Sequence, residues 1–398
     1  MQEHSTVPGL VERAARSAAD KVGSSAGGGT FNPKKLASLE KAIRKAQRDA
    51  GKARLDKPFL PRDRASALIQ AAMDQRIREA GAAGDASATV LESTGNQFLF
   101  STADPRWSSV LASLIGKWLT PDARFISKPE LTGPIAIGNQ ASIALFSDWG
   151  TGRAPALSVA EEITKRNVDY LIHLGDIYYA GTDSEVVERF LNLLPASTQL
   201  KRTFALNGNH EMYSGGHAYF NKVLPALSQT ASYFCLENDH WRIIGLDTAH
   251  KDQDLRDPQL AWLTSLVSPA DGRKNVVLSH HQLFSCFENV NDRILKKVAP
   301  LLDAGRIHAW FWGHEHKNIV YEKHRGVLAR CIGHGAIPDS PPPAALRHPE
   351  FAIRFVNRRL RPDSVQGING FAALTLNGPQ LEVEYVDEDG VIPFRETL

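Results

Sequence analysis

Side chains that bind metal ions recur at five places in this sequence, and each place follows a short apolar run. Aspartates follow the first two runs, an asparagine follows the third, and histidines follow the last two. Carboxylate, amide oxygen and imidazole are ligands that transition-metal ions accept in proteins. The pattern therefore predicts a metal site. The five segments are Asp148-Trp149-Gly150, Gly175-Asp176-Ile177-Tyr178-Tyr179, Gly208-Asn209-His210-Glu211, Val277-Leu278-Ser279-His280 and Gly313-His314-Glu315-His316.

The kinds of ligand suit a pair of cations. Two metal ions about 3.5 to 4 Å apart need a shared carboxylate, further ligands around each ion, and open positions for water and substrate. Asp176 is the natural shared carboxylate, and Asn209 offers a neutral oxygen that limits the negative charge on its metal. His314 and His316 can direct two imidazoles into one cavity from a single loop. These residues predict hydrolysis assisted by two metal ions.

Short strands and helices are expected to position these residues. The apolar runs are rich in β-branched and aromatic residues, which is typical of buried strands, and strand and helix alternate along the chain. This alternation predicts a largely parallel sheet, with the five segments together at the carboxyl ends of its strands. The predicted helices are Ser158 to Arg166, Val186 to Leu194 behind the capping-box residues Thr182 and Glu185, a helix that begins at Asp257-Pro258, and one from about Asn291 to Leu302.

In their order, the five segments resemble those of the calcineurin-like metallophosphoesterases, over roughly residues 140 to 388. Most members of that superfamily have Asp-x-His in the first segment, whereas this chain has Gly150 there and offers Tyr179 three residues after Asp176. That paired exchange resembles the purple acid phosphatase branch. The resemblance implies an α/β fold, a four-layer α/β/β/α sandwich, to which this sequence adds a smaller, mainly helical N-terminal region.

The same resemblance implies a role for each candidate ligand. A metal-bound hydroxide attacks the phosphorus of a phosphate monoester, and His210 hydrogen-bonds the phosphate or protonates the leaving group. Of the adjacent tyrosines, the spacing favours Tyr179 as a ligand and leaves Tyr178 to packing. The first metal, Fe(III), takes Asp148, Asp176, Tyr179 and His316, and the second, Fe(II), Zn or Mn, takes Asp176, Asn209, His280 and His314.

Four other polar residues near these segments keep two interpretations or an indirect role. His281 either contacts the phosphate or is a hydrogen-bonded core histidine, and His217 either contacts substrate or faces solvent. Glu211 is expected to orient the ligands from behind them. His334 either lines the cleft or is a loop histidine without a role. Substrate specificity is expected from the loops at residues 212–220, 282–292 and 334–350.

Composition adds limits on size, partners and location. With 398 residues, 42% of them hydrophobic and 23% charged, the chain can bury a full core and a smaller second one. The net charge of +2 gives no general attraction to nucleic acid, and no nucleic-acid-binding motif is found. The sequence has no apolar run long enough to span a membrane and no signal peptide in its first 30 residues. Three cysteines without metal spacing are expected to be buried thiols, which favours a cytoplasmic location.

The N-terminal third has helical patterns without recognisable chemistry. Apolar stripes at helical spacing begin at Leu36 and Leu68, and residues 90–101 resemble a hairpin. Between Lys34 and Arg64, eleven basic residues accompany four acidic ones, which is typical of a solvated helix face and could also contact an acidic protein or an anionic surface. The expected regions are a flexible tail at 1–30, a helical region of unknown role at 31–135, and the catalytic domain at 136–398.

Two other functions compete with the phosphomonoesterase. One is a nucleotide or lipid phosphodiesterase of the same superfamily, whose usual Asp-x-His first segment this chain lacks. The other is a non-catalytic scaffold that uses this fold and contacts partners through the basic helices. Loss of ligand residues would favour the scaffold, and none of them is lost.

Overall fold

The computed structural model describes the chain in seven stretches. Contacts divide the chain into two units, the second of which comprises residues 123–212 and 216–398. Of the N-terminal predictions, the tail, the helix at Leu36 and the hairpin at 90–101 lie outside the described residues, as does most of the basic segment. The domain boundary between residues 135 and 136 stays a prediction. The stretches are 63–82, 121–127, 133–195, 202–268, 271–337, 339–362 and 364–398.

The first unit contains the helix predicted around Leu68. This helix, α1 (Arg64–Ala82), has 19 residues, and the side chains of Leu68 and Ile69 are buried. The apolar stripe therefore gives a helix, as expected.

The helices of the second unit confirm the predicted sites of helix formation. The carboxylate of Glu185 accepts a hydrogen bond from the Thr182 backbone N–H at 3.0 Å, which closes the predicted capping box. Asn291 caps the last helix by accepting from the Ile294 N–H at 3.3 Å. The helices are α2 (Ala154–Arg166), α3 (Asp183–Arg189), α4 (Asn209–Met212), α5 (Leu224–Ala226), α6 (Gln259–Val267) and α7 (Asp292–Asp303), with a π-helical turn at Tyr219–Val223 and a 3-10 turn at Leu191–Leu193.

Fourteen strands in the described residues form two sheets, with an order β14-β13-β12-β2-β3-β4 in one and β1-β5-β6-β7-β8-β10-β9-β11 in the other. The strands are β1 (Ile135–Ala136), β2 (Gln140–Phe146), β3 (Tyr170–His173), β4 (Thr203–Ala205), β5 (Phe234–Glu237), β6 (Trp241–Leu246), β7 (Lys274–Ser279), β8 (Ala309–Trp312), β9 (Asn318–Tyr321), β10 (Leu328–Ile332), β11 (Ile353–Val356), β12 (Gly370–Asn377), β13 (Gln380–Asp387) and β14 (Phe394–Thr397).

The expectation of one largely parallel sheet is wrong in two respects. The strands divide between two sheets, and each sheet is mixed: β2, β3 and β4 run parallel, whereas β12, β13 and β14 add to them as antiparallel neighbours. The reason is local, because a short turn joins β12 to β13 and such a turn can only connect antiparallel strands.

Alternating side chains place the two sheets face to face with helices outside them. Ile143 and Leu145 of β2 belong to the same apolar cluster as Val276 and Leu278 of β7, in the opposite sheet. Their neighbour Ala144 instead belongs to a second cluster that includes helical residues such as those of α2. Because successive strand residues point to opposite faces, each sheet has one face toward the other sheet and one toward helices. This arrangement confirms the four-layer α/β/β/α fold.

The strands that precede the predicted ligands come from both sheets. β2, β3 and β4 lead to the first three segments, and β7 and β8 lead to the last two. Two hydrogen bonds donated by backbone N–H groups join the loops after these strands. The Gly313 N–H donates to the His280 carbonyl at 3.0 Å, and the His314 N–H donates to the side-chain Oδ2 of Asp148 at 2.8 Å. The candidate site therefore lies where the carboxyl ends of strands from both sheets meet, and not at the edge of a single sheet.

Two composition-based expectations can be compared with the described residues. Cys235, Cys286 and Cys331 are buried free thiols, as predicted. Within the stretches that the structure describes, no helix is both long enough and apolar enough to cross a membrane.

Candidate metal centre

Four predicted ligands have a left-handed backbone conformation. The φ angles are 56° at Asp148, 74° at Asp176, 67° at His314 and 50° at His316. They account for half of the eight non-glycine residues with positive φ in the described chain. Such conformations cost of the order of 1–3 kcal/mol each and concentrate at functional sites. The fold therefore holds these side chains in position at the expense of local backbone energy.

Glycines beside the ligands let loops from different strands approach closely. A Cβ at Gly208 would lie 2.2 Å from Asp176 Oδ1, and a Cβ at Gly313 would lie 1.9 Å from Ser147 Oγ and 2.6 Å from Asp148 Oδ2. Only glycine fits these positions without moving a candidate ligand. The glycines of the Gly-Asn-His-Glu and Gly-His-Glu-His segments thus have a geometric role.

The first group of candidate ligands is formed by Asp148, Asp176 and His316. Their ligand atoms all lie within 4.8 Å of one another, and His316 Nε2 is 3.4 Å from Asp148 Oδ1. Both carboxylates are fully buried or nearly so. Two buried carboxylates this close to an imidazole form a site that a cation would stabilise.

The second group is formed by His280, His281 and His314, whose ligand atoms also lie within 4.8 Å of one another. His280 Nε2 is 3.3 Å from His314 Nδ1 and 2.9 Å from Asn209 Oδ1. The same nitrogen is 3.3 Å from Asp176 Oδ1. Asp176 therefore belongs to the first group and contacts the second, which is the position that a bridging carboxylate needs.

Hydrogen bonds from behind fix which histidine nitrogen faces the site. His280 Nδ1 lies 2.9 Å from the Leu174 carbonyl, and His210 Nδ1 lies 2.6 Å from the Tyr179 carbonyl. Because a carbonyl only accepts, each Nδ1 carries its proton and each Nε2 is directed to the other side. At His280 this leaves Nε2 as the nitrogen available to a metal, an orientation typical of metal-binding histidines.

The electrostatics of the site favour charged acids beside a charged imidazole. Burial opposes ionisation of both acids. The imidazole of His316 nevertheless holds the pKa of Asp148 below its usual range, and the imidazole of His280 does the same for the pKa of Asp176. Burial likewise opposes a charge on His280, but Asp176 raises its pKa to about 9. A metal bound at His280 must displace that proton, so we expect metal affinity to rise with pH up to about 9.

The two tyrosines are placed differently from the expectation. Tyr178 Oη donates to Asp148 Oδ1 at 2.8 Å and lies 3.1 Å from both Asp176 Oδ2 and His316 Nε2, so it joins the first group. The Tyr179 hydroxyl instead accepts from Arg153 Nη2 at 3.2 Å. The Tyr179 backbone explains the difference, because its N–H is held by the carboxylate of Glu185 and its carbonyl by His210. The structure thus brings together every predicted ligand except Tyr179, and puts Tyr178 where Tyr179 was predicted.

The protonation state of Tyr178 agrees with a neutral hydrogen-bond donor. Burial, and then the carboxylates of Asp148 and Asp176, raise its pKa well above the usual range. A bound cation reverses that effect, because positive charge near a phenol favours the phenolate. The hydroxyl therefore can serve either as a hydrogen-bond donor or as an anionic ligand.

Two of the residues with open interpretations, His281 and His217, differ in their position relative to the ligand groups. His281 is buried with Nδ1 3.0 Å from Thr248 Oγ1, and its second nitrogen belongs to the second ligand group. Burial and the neighbouring His314 and His280 hold its pKa well below the usual value, so the ring is neutral. His217 is half-buried and belongs to neither ligand group. The contact of Thr248 with His281 was not predicted from the sequence. The apolar run of β6, which ends two residues before Thr248, could have indicated that another strand leads toward the site.

Glu211 supports the ligands through the backbone. Its Oε2 accepts from the Asp176 N–H at 3.1 Å and from the Gly208 N–H at 2.9 Å, so it connects the loop after β3 to the loop after β4. Burial, and then the charge of Asp176, raise the pKa of Glu211 to about 8. The side chain can therefore hold these two loops in register without adding a full charge beside Asp176.

We expect Glu211→Ala to weaken metal binding by roughly 10- to 100-fold, because the two ligand loops lose their common acceptor. Glu211→Gln should bind metal nearly as well as the unsubstituted protein, since an amide oxygen also accepts from both N–H groups. Competition against a coloured chelator measures the affinities. Equal losses in the two variants would show that the charge of Glu211, rather than its hydrogen bonds, matters.

Comparison with known proteins gives consistent matches over this part of the chain. Residues 141–318 match the model of the calcineurin-like phosphoesterase family. Tartrate-resistant acid phosphatase type 5 from Rattus norvegicus is 23% identical over 311 residues, which cover 68% of this chain and 94% of that protein. The same enzyme from Sus scrofa is 22% identical over 292 residues, covering 63% and 84%.

A solved structure is similar to part of the chain. The purple acid phosphatase from yellow lupin (Lupinus luteus) seeds is 18% identical and matches with a TM-score of 0.49. The match covers 65% of this chain and 53% of the lupin chain, so the chain spans about half the length of that protein. The chain is thus similar to the calcineurin-like phosphoesterases over residues 141–318 and to acid phosphatases over most of its length, and both similarities support a hydrolase that acts on phosphate esters.

Proposed function

We propose that the protein is a phosphomonoesterase that works with two metal ions, one at each ligand group. The observation that carries this proposal is the position of Asp176, whose Oδ1 is 3.3 Å from His280 Nε2 and whose Oδ2 lies 3.1 Å from Tyr178 Oη. One carboxylate thus reaches both groups. A single-metal enzyme has no need for two buried ligand groups joined in this way.

The residues fit the metals that the family implies. A tyrosine, two carboxylates and an imidazole at the first group are mostly hard, anionic donors and suit Fe(III). Asn209 and the histidines of the second group suit Fe(II), Zn or Mn. When bound, such ions supply an activated water and charge stabilisation for the phosphate. Asp148, Asp176, His316 and Tyr178 would hold the first ion, and Asp176, Asn209, His280 and His314 the second, with His281 beside it.

His210 is suited to the leaving group rather than to a metal. Its Nδ1 is engaged with the Tyr179 carbonyl, and its Nε2 is 3.7 Å from Asp176 Oδ2, beyond hydrogen-bonding distance. Burial lowers the pKa of His210, although Asp176 opposes this. A substrate phosphate adds negative charge and so favours a proton on Nε2. From there the proton can pass to the departing alkoxide.

Hydrolysis of a chromogenic phosphomonoester tests the proposed function. The protein loaded with iron and zinc should hydrolyse 4-nitrophenyl phosphate, the chelated protein should not, and returning the metals should restore the rate. Undiminished activity after complete chelation would contradict the metal requirement. Absence of hydrolysis in a protein shown to contain both metals would favour the scaffold alternative.

His210→Ala should keep both metals and lower kcat by about 10²- to 10⁴-fold, the usual contribution of a general acid. His280→Ala, by contrast, should lose the second metal, because it removes the nitrogen nearest Asp176 and Asn209. Metal analysis and steady-state kinetics of both variants separate the two roles. A His210→Ala protein that purifies without metal would mean that His210 is a ligand.

A further inference from the structure

A cleft opens beside His316 and is not used by the proposed reaction. It encloses about 310 Å³ of space, part of it open to solvent. Its walls come from the first residues of β9, from the loop after β10, and from segments at 339–342 and 367–369. Because His316 lies in the first ligand group, a molecule in this cleft would be next to the candidate metal centre.

The loop after β10 is fixed directly to the ligand loops. A Cβ at Gly335 would lie 2.0 Å from the Ser147 carbonyl oxygen, and one at Gly333 would lie 2.9 Å from the His316 nitrogen and 3.1 Å from Asp148 Oδ2. The Ala336 N–H also donates to the Asp148 carbonyl at 3.1 Å. The position of His334, between these two glycines, is therefore set by the same contacts that set the ligands.

Three polar side chains that line this cleft are buried, and five of their polar atoms have no hydrogen-bond partner among the described residues. The three side chains are Asn318, His334 and Asn369, which are 2%, 4% and 1% exposed. Both polar atoms of Asn318, both ring nitrogens of His334 and the Asn369 amide nitrogen lack a partner among the described residues. A buried polar group without a partner costs about 1–3 kcal/mol, so natural proteins keep few of them. Three around one cleft indicate a ligand that completes their hydrogen bonds.

The charge of the cleft excludes a second anion as the best ligand. Lys317 is the cation among the lining residues that could hold one, and its Nζ is 3.4 Å from Asp339 Oδ2 and 3.2 Å from the Glu315 carbonyl. Its charge is therefore balanced within the cleft. Burial lowers the pKa of His334 to about 4, so the imidazole offers one donor and one acceptor without charge.

We infer that this cleft binds the alcohol portion of the phosphate ester, and that this portion is an uncharged, hydroxyl-rich group such as a sugar or polyol. The inference rests on the proposed phosphomonoesterase function. Neutral donors and acceptors around one space match hydroxyl groups, each of which donates one hydrogen bond and accepts others. An apolar alcohol of the same size would leave Asn318, His334 and Asn369 unpaired.

Two esters of similar ring size test this specificity. Glucose 6-phosphate and cyclohexylmethyl phosphate are both esters of primary alcohols, and they differ mainly in the ring oxygen and the hydroxyls. The metal-loaded protein should have a higher kcat/KM for glucose 6-phosphate. Asn318→Ala and Asn369→Ala should each lower that kcat/KM by roughly 3- to 10-fold, the contribution of one hydrogen bond, and change the rate on cyclohexylmethyl phosphate by less than about 2-fold.

Thermal unfolding and metal content separate recognition from structure. Both variants should keep their metals and their Tm, because the described part of the chain gives the Asn318 side chain and the Asn369 amide nitrogen no hydrogen bond to lose. Equal losses of activity on the two esters would show that the asparagines support the metal centre and would overturn the inference. Unchanged kinetics on both esters would overturn it too.

A binding measurement distinguishes failure of this inference from failure of the proposed function. Calorimetry with the non-hydrolysable phosphonate analogues of the two esters should show tighter binding of the sugar analogue, and Asn318→Ala should remove that preference. This result would support the cleft even if the protein hydrolysed neither ester. Equal binding of the analogues by an active enzyme would overturn the cleft assignment and leave the phosphomonoesterase intact.

Discussion

Asp176→Asn is expected to lower kcat/KM by about 10³-fold or more, because both metals lose a shared anionic ligand and several kcal/mol of charge stabilisation disappear. The loss should exceed that of any single change confined to one ligand group. The variant should also purify with less than its full complement of both metals. Kinetics with 4-nitrophenyl phosphate and metal analysis of the same sample measure the two effects together.

Asp271→Asn is the matched control for that substitution. Asp271 pairs with Arg242 and precedes β7, so it lies at the amino end of the strand whose carboxyl end leads to His280. The same chemical change there should leave kcat/KM and metal content within about 2-fold, as is usual for substitutions away from a site. An Asp176→Asn protein that retains two metals and a near-normal rate would refute the bridging role.

Tyr178→Phe should bleach the visible colour of the iron-loaded protein, whereas Tyr179→Phe should leave it. Phenolate bound to Fe(III) gives a ligand-to-metal charge-transfer band, so the oxidised protein is expected to be pink to purple. We propose Tyr178 for this role because its hydroxyl is 2.8 Å from Asp148 Oδ1, while the Tyr179 hydroxyl lies beside Arg153. The measurement is an absorption spectrum paired with an iron assay, and His280→Ala should keep the band.

The two phenylalanine variants are controls for each other, since each removes one hydroxyl from adjacent residues. Bleaching by Tyr179→Phe alone would restore the assignment that the spacing from Asp176 predicted, and would show that the loop rearranges when metal binds. A fully iron-loaded, oxidised protein with no visible band would contradict phenolate coordination by either tyrosine.

The convergence of most candidate ligands could be predicted because apolar runs in the sequence show where buried strands end. The runs before Asp148, Asp176 and His280 are buried strands in the structure, and the side chains that follow them do converge. The helix caps were predictable for the same local reason, as the Thr182 and Glu185 contact shows. Residue types and their order are enough to predict features that depend only on neighbouring residues, such as strand ends and helix caps.

Features that depend on several distant segments could not be predicted. Tyr178 and Tyr179 are adjacent in the sequence, and the contacts that fix the Tyr179 backbone come from Glu185 and His210. The cleft at Asn318 and Asn369 is formed by residues 51 positions apart, neither of which lies in a recognisable segment. The division into two sheets also depends on distant segments, since β12 pairs with β2, which lies more than 200 residues earlier in the sequence.

Anomalous scattering from crystals loaded with iron and zinc would show whether two metal ions share Asp176. We expect two peaks: an iron peak among Asp148, Asp176 and His316, and a zinc peak among Asp176, Asn209, His280 and His314. Data collected on both sides of each absorption edge identify the metals. A single peak, or two peaks of which only one contacts Asp176, would contradict the proposal that Asp176 is shared by two metal ions.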